Sequence, residues 1–162
     1  MPSFKLTSHS AYTPEQMFGI AADIERYPDF IRLIHGARVL DRQRDDDGLE
    51  TFRSEIDIAY DKLNIRQTFS SQVRLDAQGL TIRSVSNEKP MKQLDSRWQF
   101  RVLPQGGSTI DYDIEYELAS KILQFVMNKS FDYAMHKVVE AFERRARKLY
   151  GRPAKRALRD TG

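Results

Sequence analysis

The sequence predicts a single α+β domain in which a curved antiparallel sheet of about seven strands wraps around one long C-terminal helix. Residues 37–118 form successive short runs of alternating apolar and polar side chains, typical of strands with one buried face. Residues 120–150 contain no Pro or Gly and repeat apolar side chains at helical spacing, which predicts a helix of about 45 Å. A sheet with one wet face needs such a cover, and this predicts the fold class.

The N-terminal region predicts one strand followed by two short helices. Residues 3–10 alternate as a strand does. Thr13 is suited to cap a helix that begins at Pro14, with Gln16 closing a capping box. We expect the segment 23–28 to end this helix and residues 29–34 to form one more short helical turn.

Six further strands follow in the predicted order. The turn sequence 45–48 (DDDG) closes the first of them, and the last alternates apolar residues with Asp and Glu most regularly. The predicted strands span residues 37–44, 51–60, 63–73, 79–86, 94–102 and 110–118. No internal repeat or second domain is indicated, so we predict one domain over 1–151 and a basic disordered tail over 152–162.

Composition excludes several classes of protein. The 162 residues contain no Cys, which rules out disulfides, thiolate nucleophiles and Cys-ligated metals. No apolar run approaches the roughly 20 residues of a membrane-spanning helix, and the N-terminus lacks the pattern of a signal peptide. We therefore expect a cytoplasmic protein, with contact to the inner membrane at most peripheral.

The net charge of +3 is distributed unevenly, because residues 144–162 carry eight basic residues and a single acid. Such a cluster is suited to contact an anionic membrane or RNA, and it is equally typical of a solubilising chain end. The candidate contact residues are Arg144, Arg145, Arg147, Lys148, Arg152, Lys155, Arg156 and Arg159.

Catalytic patterns are weak throughout the chain. His9, His35 and His136 belong to different predicted elements, so they do not form a metal site. The carboxylates of the last strand point outward by parity, away from any cavity under the helix. We expect no enzyme activity, no metal and no catalytic cofactor.

Five segments of the chain carry a family resemblance. They are residues 11–18 (AYTPEQMF), 22–30 (ADIERYPDF), 65–71 (IRQTFSS), 94–100 (LDSRWQF) and 141–146 (AFERRA). Together they resemble the coenzyme Q-binding START-like family, within the polyketide cyclase/START superfamily. The chain departs from that family at 31–34 (IRLI) and 89–91 (KPM), so contacts of the cavity rim are not carried over.

The resemblance implies a helix-grip (START/Bet v-like) fold. It also implies non-catalytic binding of ubiquinone, as a carrier or chaperone that supports respiratory electron transport. One bacterial branch of the family is a toxin that binds the large ribosomal subunit, which makes the ribosome an alternative partner. A polyketide cyclase-type enzyme is a further alternative that rests on the fold alone.

A sheet curved around a helix tends to leave an apolar space with a few polar groups, where a quinone head and its first isoprene units would be enclosed. Ordinary core packing is the alternative for the same side chains. We predict a ligand exit between the long helix and residues 25–36. The candidate ligand-binding residues are Phe30, Ile56, Ile58, Tyr60, Ile65, Gln67, Phe69, Leu94, Trp98, Phe100, Tyr112, Ile114, Tyr116, Met127, Phe131, Met135, Val138, Val139 and Phe142.

Overall fold

The computed structural model describes residues 3–61 and 64–153 and contains the predicted seven-stranded antiparallel sheet and long C-terminal helix. The predicted fold class is confirmed. The strands are β1 Ser3–Ser10, β2 Ile34–Arg44, β3 Glu50–Tyr60, β4 Ile65–Asp76, β5 Thr81–Ser86, β6 Met91–Val102 and β7 Ser108–Leu118. The helices are α1 Pro14–Ala22 and α2 Lys121–Tyr150.

The sheet order is β1-β7-β6-β5-β4-β3-β2, and neighbouring strands are antiparallel. The first two strands therefore lie at opposite edges, and the chain between them crosses the sheet. α2 lies over β7 and β1 and packs against α1. We call the side of the sheet that α2 covers the inner face.

The start of α1 follows the predicted capping box. The Gln16 backbone N–H donates to Thr13 Oγ1 at 3.1 Å, and the Thr13 backbone N–H donates to Gln16 Oε1 at 3.0 Å. Pro14 occupies the first turn, where a backbone donor is not needed. These contacts fix the place where the chain leaves β1 and turns across the inner face.

The second short helix is not where the sequence predicted it. A 3-10 helix spans Ile24–Asp29, largely within the segment 23–28 expected to break the helix. Residues 31–34 form a hydrogen-bonded turn, with the Ile34 N–H donating to the Ile31 carbonyl at 3.1 Å, instead of a second helix. Pro28 excludes a continuing α-helix, but its fixed φ is compatible with the tighter 3-10 geometry. This segment packs against β2, which begins at Ile34.

α2 has defined ends. The Ser120 side chain accepts a hydrogen bond from the Leu123 backbone N–H at 3.2 Å at the start. At the other end Gly151 has a φ of 71°, and its N–H donates to the Arg147 carbonyl at 2.9 Å. Its length of 30 residues gives about 45 Å, which spans the sheet.

Only the beginning of the predicted tail can be described. Arg152 and Pro153 are exposed, and residues 154–162, with Lys155, Arg156 and Arg159, lie outside the described residues. Within the described part of the chain, no helix has the length and hydrophobicity to span a membrane.

Candidate ligand-binding groove

The strand residues predicted to bind ligand share the inner face. Directly opposed residues of an antiparallel pair lie on the same side of a sheet, and the register opposes Ile56 to Phe69 and Trp98 to Tyr112. Phe142 of α2 contacts Trp98 with ring centroids 5.4 Å apart, which identifies this side as the one that α2 covers. The set consists of Ile56, Ile58, Tyr60, Ile65, Gln67, Phe69, Leu94, Trp98, Phe100, Tyr112, Ile114 and Tyr116.

One end of the inner face is a packed aromatic core. The rings of Trp98 and Tyr112 have centroids 4.2 Å apart, and Phe142 is fully buried against them. Phe100 is 1% exposed and meets Phe18 of α1 edge to face. Burial raises the pKa of Tyr112. These predicted ligand contacts therefore lie in the core, where their rings pack against one another.

Phe30 lies in the same packed region. Its ring is 5.9 Å from that of Phe142 and 6.0 Å from that of Tyr27, and the Arg145 guanidinium lies 5.2 Å above it. The predicted exit between α2 and residues 25–36 is therefore closed at Phe30. Parity and helical spacing did not show that three aromatic rings and an arginine meet here.

Serine side chains form the centre of the inner face. Ser54, Ser71 and Ser96 are buried, and the hydroxyls of Ser54 and Ser71 lie 2.9 Å apart in a hydrogen bond. The register places Ser84 opposite Ser96, and Ser86 lies two residues further along β5 on the same face. We call these five residues the serine band. A serine side chain is short, yet Ser54, Ser71 and Ser96 are only 1%, 9% and 7% exposed, so neighbouring side chains close over this part of the band.

Apolar side chains beside the serine band remain partly exposed although they point inward. On the sheet they are Ile56, Ile58, Phe69 and Leu94. The facing side chains of α2 are also half-buried: Leu123, Met127, Phe131 and Val138. α2 lies toward β7 and β1, and the 3-10 helix packs on β2 at the other edge. Between them the inner face of β3 and β4 carries this partly exposed apolar surface, which we call the groove.

The groove differs from the enclosed cavity that the sequence predicted. At the end of the groove formed by the end of β3 and the start of β4, Gln67 is exposed and its register partner Ile58 is half-buried. This end of the groove is therefore in contact with solvent. Tyr60 and Ile65 oppose each other beyond Gln67 and are also half-buried. Met135 and Val139 are buried under the middle of α2 and contribute to its packing.

Polar groups anchor the N-terminal half of α2 to the sheet. Tyr116 Oη donates to Asn128 Oδ1 at 3.2 Å, and its ring stacks on Phe131 with centroids 5.0 Å apart. The Leu118 backbone N–H donates to Gln124 Oε1 at 2.6 Å. Burial raises the pKa of Tyr116, so its phenol stays protonated and able to donate at neutral pH.

Two features of this region were absent from the sequence-based site. Ser84 and Ser86 follow from the parity of β5 once its pairing with β6 is known. A separate open cleft of about 590 Å³ lies between α1 and the chain segments 42–50 and 75–78. It contains paired charges, such as Arg42 with Glu50, whereas the groove is lined by apolar side chains. It is lined by Phe18, Gly19, Ala22, Asp23, Arg42, Arg44, Asp47, Gly48, Leu49, Glu50, Leu75, Asp76, Ala77 and Gln78.

The basic residues at the end of α2 differ in their surroundings. Arg144, Arg147 and Lys148 are exposed, and so is Arg152 beyond the helix. Arg145 is half-buried because its guanidinium stacks over Phe30. Four of the described basic residues are therefore free to meet an anionic partner. Among the described residues, no group of three His, Asp or Glu side chains is placed to hold a metal ion.

Residues 10–143 match the family model described as "Polyketide cyclase / dehydrase and lipid transport". The chain belongs to this family. By that description the family contains enzymes as well as lipid-transport proteins, so membership alone does not decide between catalysis and binding. The family resemblance identified in the sequence is confirmed at the level of this superfamily.

Known relatives carry two kinds of name. The chain is 29% identical over 150 residues to the "Ribosome association toxin RatA" of Vibrio cholerae, covering 91% of this chain and 99% of that protein. It is 22% identical to the mitochondrial "Coenzyme Q-binding protein COQ10 homolog B" of Xenopus laevis, covering 87% of this chain and 56% of that protein. The solution structure of an 18 kDa Caulobacter crescentus protein matches with a TM-score of 0.79 at 27% identity, covering 94% of this chain and all of that one.

Proposed function

We propose that this protein binds ubiquinone, a polyprenyl quinone, without acting on it chemically. As a carrier or chaperone it would supply the quinone to respiratory electron transport. The observation that supports the proposal is the inner face of the sheet, on which half-buried apolar side chains surround the serine band. The family description, which includes lipid transport, and the coenzyme Q-binding relative support the same chemistry.

The serine band is suited to the polar head of such a ligand. In the Ser54–Ser71 pair one hydroxyl donates to the other, so one O–H group remains available to donate to a quinone carbonyl. A quinone carbonyl accepts hydrogen bonds and carries no proton, which complements a hydroxyl donor. The head would therefore lie on the band, with the isoprene tail along Ile56 and Phe69.

The apolar walls can supply the binding free energy. At about 0.8 kcal/mol per buried CH₂, one five-carbon isoprene unit contributes about 3–4 kcal/mol. Two or three buried units offset association costs of about 4–15 kcal/mol and reach micromolar affinity. An open groove suits a long tail, because units beyond the first few can leave along β3 and β4 without crossing the packed end.

The test is the quinone content of protein isolated from quinone-containing cells. Mass spectrometry of an organic extract should detect ubiquinone, and added short-chain ubiquinone should quench the emission of Trp98, the single Trp, which lies on the inner face. Phe69→Glu places a carboxylate in the groove and should reduce both signals at least tenfold. The matched control is Gln72→Glu, on the opposite, exposed face of the same strand. Extracts without quinone, together with unchanged Trp98 emission, would contradict the proposal.

A second candidate function is association with the ribosome. It is favoured by the similarity to the ribosome association toxin over nearly the whole chain and by the exposed basic residues at the end of α2. Electrostatic binding to RNA weakens steeply as salt rises. The contact would use Arg144, Arg147, Lys148 and Arg152.

Co-sedimentation with ribosomal subunits separates the two functions. Arg144→Glu, Arg147→Glu and Lys148→Glu together should abolish a salt-sensitive association and leave quinone content unchanged. Lys5→Glu, at an exposed basic position on β1, is the control. Wild-type protein that does not sediment with subunits at low salt would eliminate this candidate and leave the groove proposal intact.

A further inference from the structure

The N-terminal half of α2 exposes an apolar surface to solvent on the side opposite the sheet. Ile122 is 80% exposed, and Phe125 and Tyr133 are each 61% exposed. Their spacing of three and eight residues, with Lys129 between them, places them on one side of the helix. The side chains that pack on the sheet, such as Met127 and Phe131, belong to the other side.

Lysine side chains lie directly beside these exposed rings. The Lys129 ammonium is 4.6 Å from the Phe125 ring centroid, and the Lys137 ammonium is 5.4 Å from that of Tyr133. We call Ile122, Phe125, Lys129, Tyr133 and Lys137 the outer face of α2. It combines apolar tips with amino groups that can reach outward past them, as in helices that lie at a membrane surface.

Charge on this part of α2 is also one-sided. Residues 121–131 contain two lysines and no acidic residue. The first acidic residues after this stretch are Asp132 and Glu140. Asp132 Oδ2 lies 3.7 Å from His136 Nδ1, and Glu140 Oε2 lies 3.6 Å from Lys137 Nζ. The surface around Ile122 and Phe125 therefore attracts anions, whereas acidic side chains lie beside its C-terminal part, at Tyr133 and Lys137.

We propose that the outer face of α2 docks on an anionic lipid bilayer, with Ile122, Phe125 and Tyr133 entering the headgroup region. A bilayer accounts for all three features together: an aliphatic tip, aromatic rings at the interface and lysines at the phosphate level. RNA would favour arginines and stacked rings, and an 80%-exposed isoleucine offers nothing to a nucleobase. The membrane contact would then lie on the N-terminal half of α2 and not at its basic end.

The position of this surface gives it a role beside the groove. Leu123 and Met127 are half-buried against the core, and they belong to the same turns of α2 that carry Ile122 and Phe125 outward. Docking would therefore bring the groove wall close to lipid, where a polyprenyl ligand resides. This role rests on the proposed quinone binding, but docking itself does not, since vesicle binding requires no ligand in the groove.

The experiment measures binding of the full chain to vesicles of phosphatidylcholine with and without anionic phosphatidylglycerol. Wild-type protein should bind the anionic vesicles, and Ile122→Ser with Phe125→Ser should weaken binding at least tenfold. Lys129→Gln should weaken it about fivefold, the effect expected of one lysine at an anionic surface. Val102→Ser, at an apolar position 71% exposed on β6, is the control and should bind as wild type does.

Three outcomes would overturn the proposal. They are absence of binding to anionic vesicles, equal binding by the Ile122→Ser, Phe125→Ser variant, and wild-type self-association that this variant removes. The last result, measured by sedimentation velocity, would assign the surface to a second copy of the chain. All the substituted side chains are exposed, so thermal unfolding should show intact folding, and quinone content tests the groove separately.

Discussion

Ser54 and Ser71 hydrogen-bond to each other through their side-chain hydroxyls across β3 and β4, at an Oγ–Oγ distance of 2.9 Å. Both residues are buried, at 1% and 9% exposure. Replacing one by Ala leaves the other hydroxyl buried without its partner, whereas replacing both removes the two polar groups together. We therefore expect Ser54→Ala to lower the free energy of unfolding by about 1–3 kcal/mol, and the double variant to lose less than the sum of the single ones.

Urea unfolding of the four proteins in this double-mutant cycle gives the interaction free energy directly. The same variants test the role of the band in binding, because the double variant lacks the hydroxyls offered to a quinone carbonyl. If the changes in the free energy of unfolding caused by the two single substitutions are additive, the hydrogen bond between the two hydroxyls does not stabilise the fold.

Phe142 joins α2 to the aromatic end of the inner face. Its side chain is fully buried and contacts the rings of Trp98, Tyr27 and Phe30. Phe142→Ala should destabilise the protein by about 3–5 kcal/mol, because the surrounding rings cannot close the cavity that it leaves. Leu149→Ala, at a 50% exposed position of the same helix, should change stability by less than about 0.5 kcal/mol. Chemical denaturation measures both, and a small effect at Phe142 would mean that this end is loosely packed.

The strands, the capping box and the long helix could be predicted from the sequence because each depends on local patterns. Alternation identified which residues of β3, β4, β6 and β7 face inward, as the register confirms. Alternation does not reveal how far a helix covers that face. Phe142 and Phe131 have the same helical spacing toward the sheet, yet one is fully buried and the other half-buried. That difference arises from position: Phe142 lies against Trp98 of β6, whereas Phe131 lies against Tyr116 of β7 and Phe4 of the edge strand β1.

Tyr12 connects the start of α1 to the end of α2. Its hydroxyl donates to the Gly151 carbonyl at 2.6 Å, and its ring lies 6.3 Å from that of Tyr150. Tyr12→Phe keeps the ring and removes the hydrogen bond, so we expect a loss of about 0.5–1.5 kcal/mol. Hydrogen exchange should also become faster in the last turn of α2, at amides such as that of Gly151. Unchanged exchange there would indicate that Tyr12 contributes only through packing.

Asp57 gives the outer face of the sheet a dependence on pH. Hydrogen bonds from Arg38 and Thr68 hold the pKa of its carboxyl at about 2, below the ordinary value of 3.8. Because the pKa is depressed in the folded state, the stabilisation is fully present above pH of about 4 and is lost as the pH falls through about 2. The side chain is 35% exposed, so solvent limits the contribution to about 0.5–1 kcal/mol.

Asp57→Asn should be less stable than wild type by this amount at neutral pH, and the difference should shrink between pH of about 4 and about 2. Urea midpoints across that range measure it, and a difference that stays constant with pH would show that the ionised carboxylate is not the stabilising form.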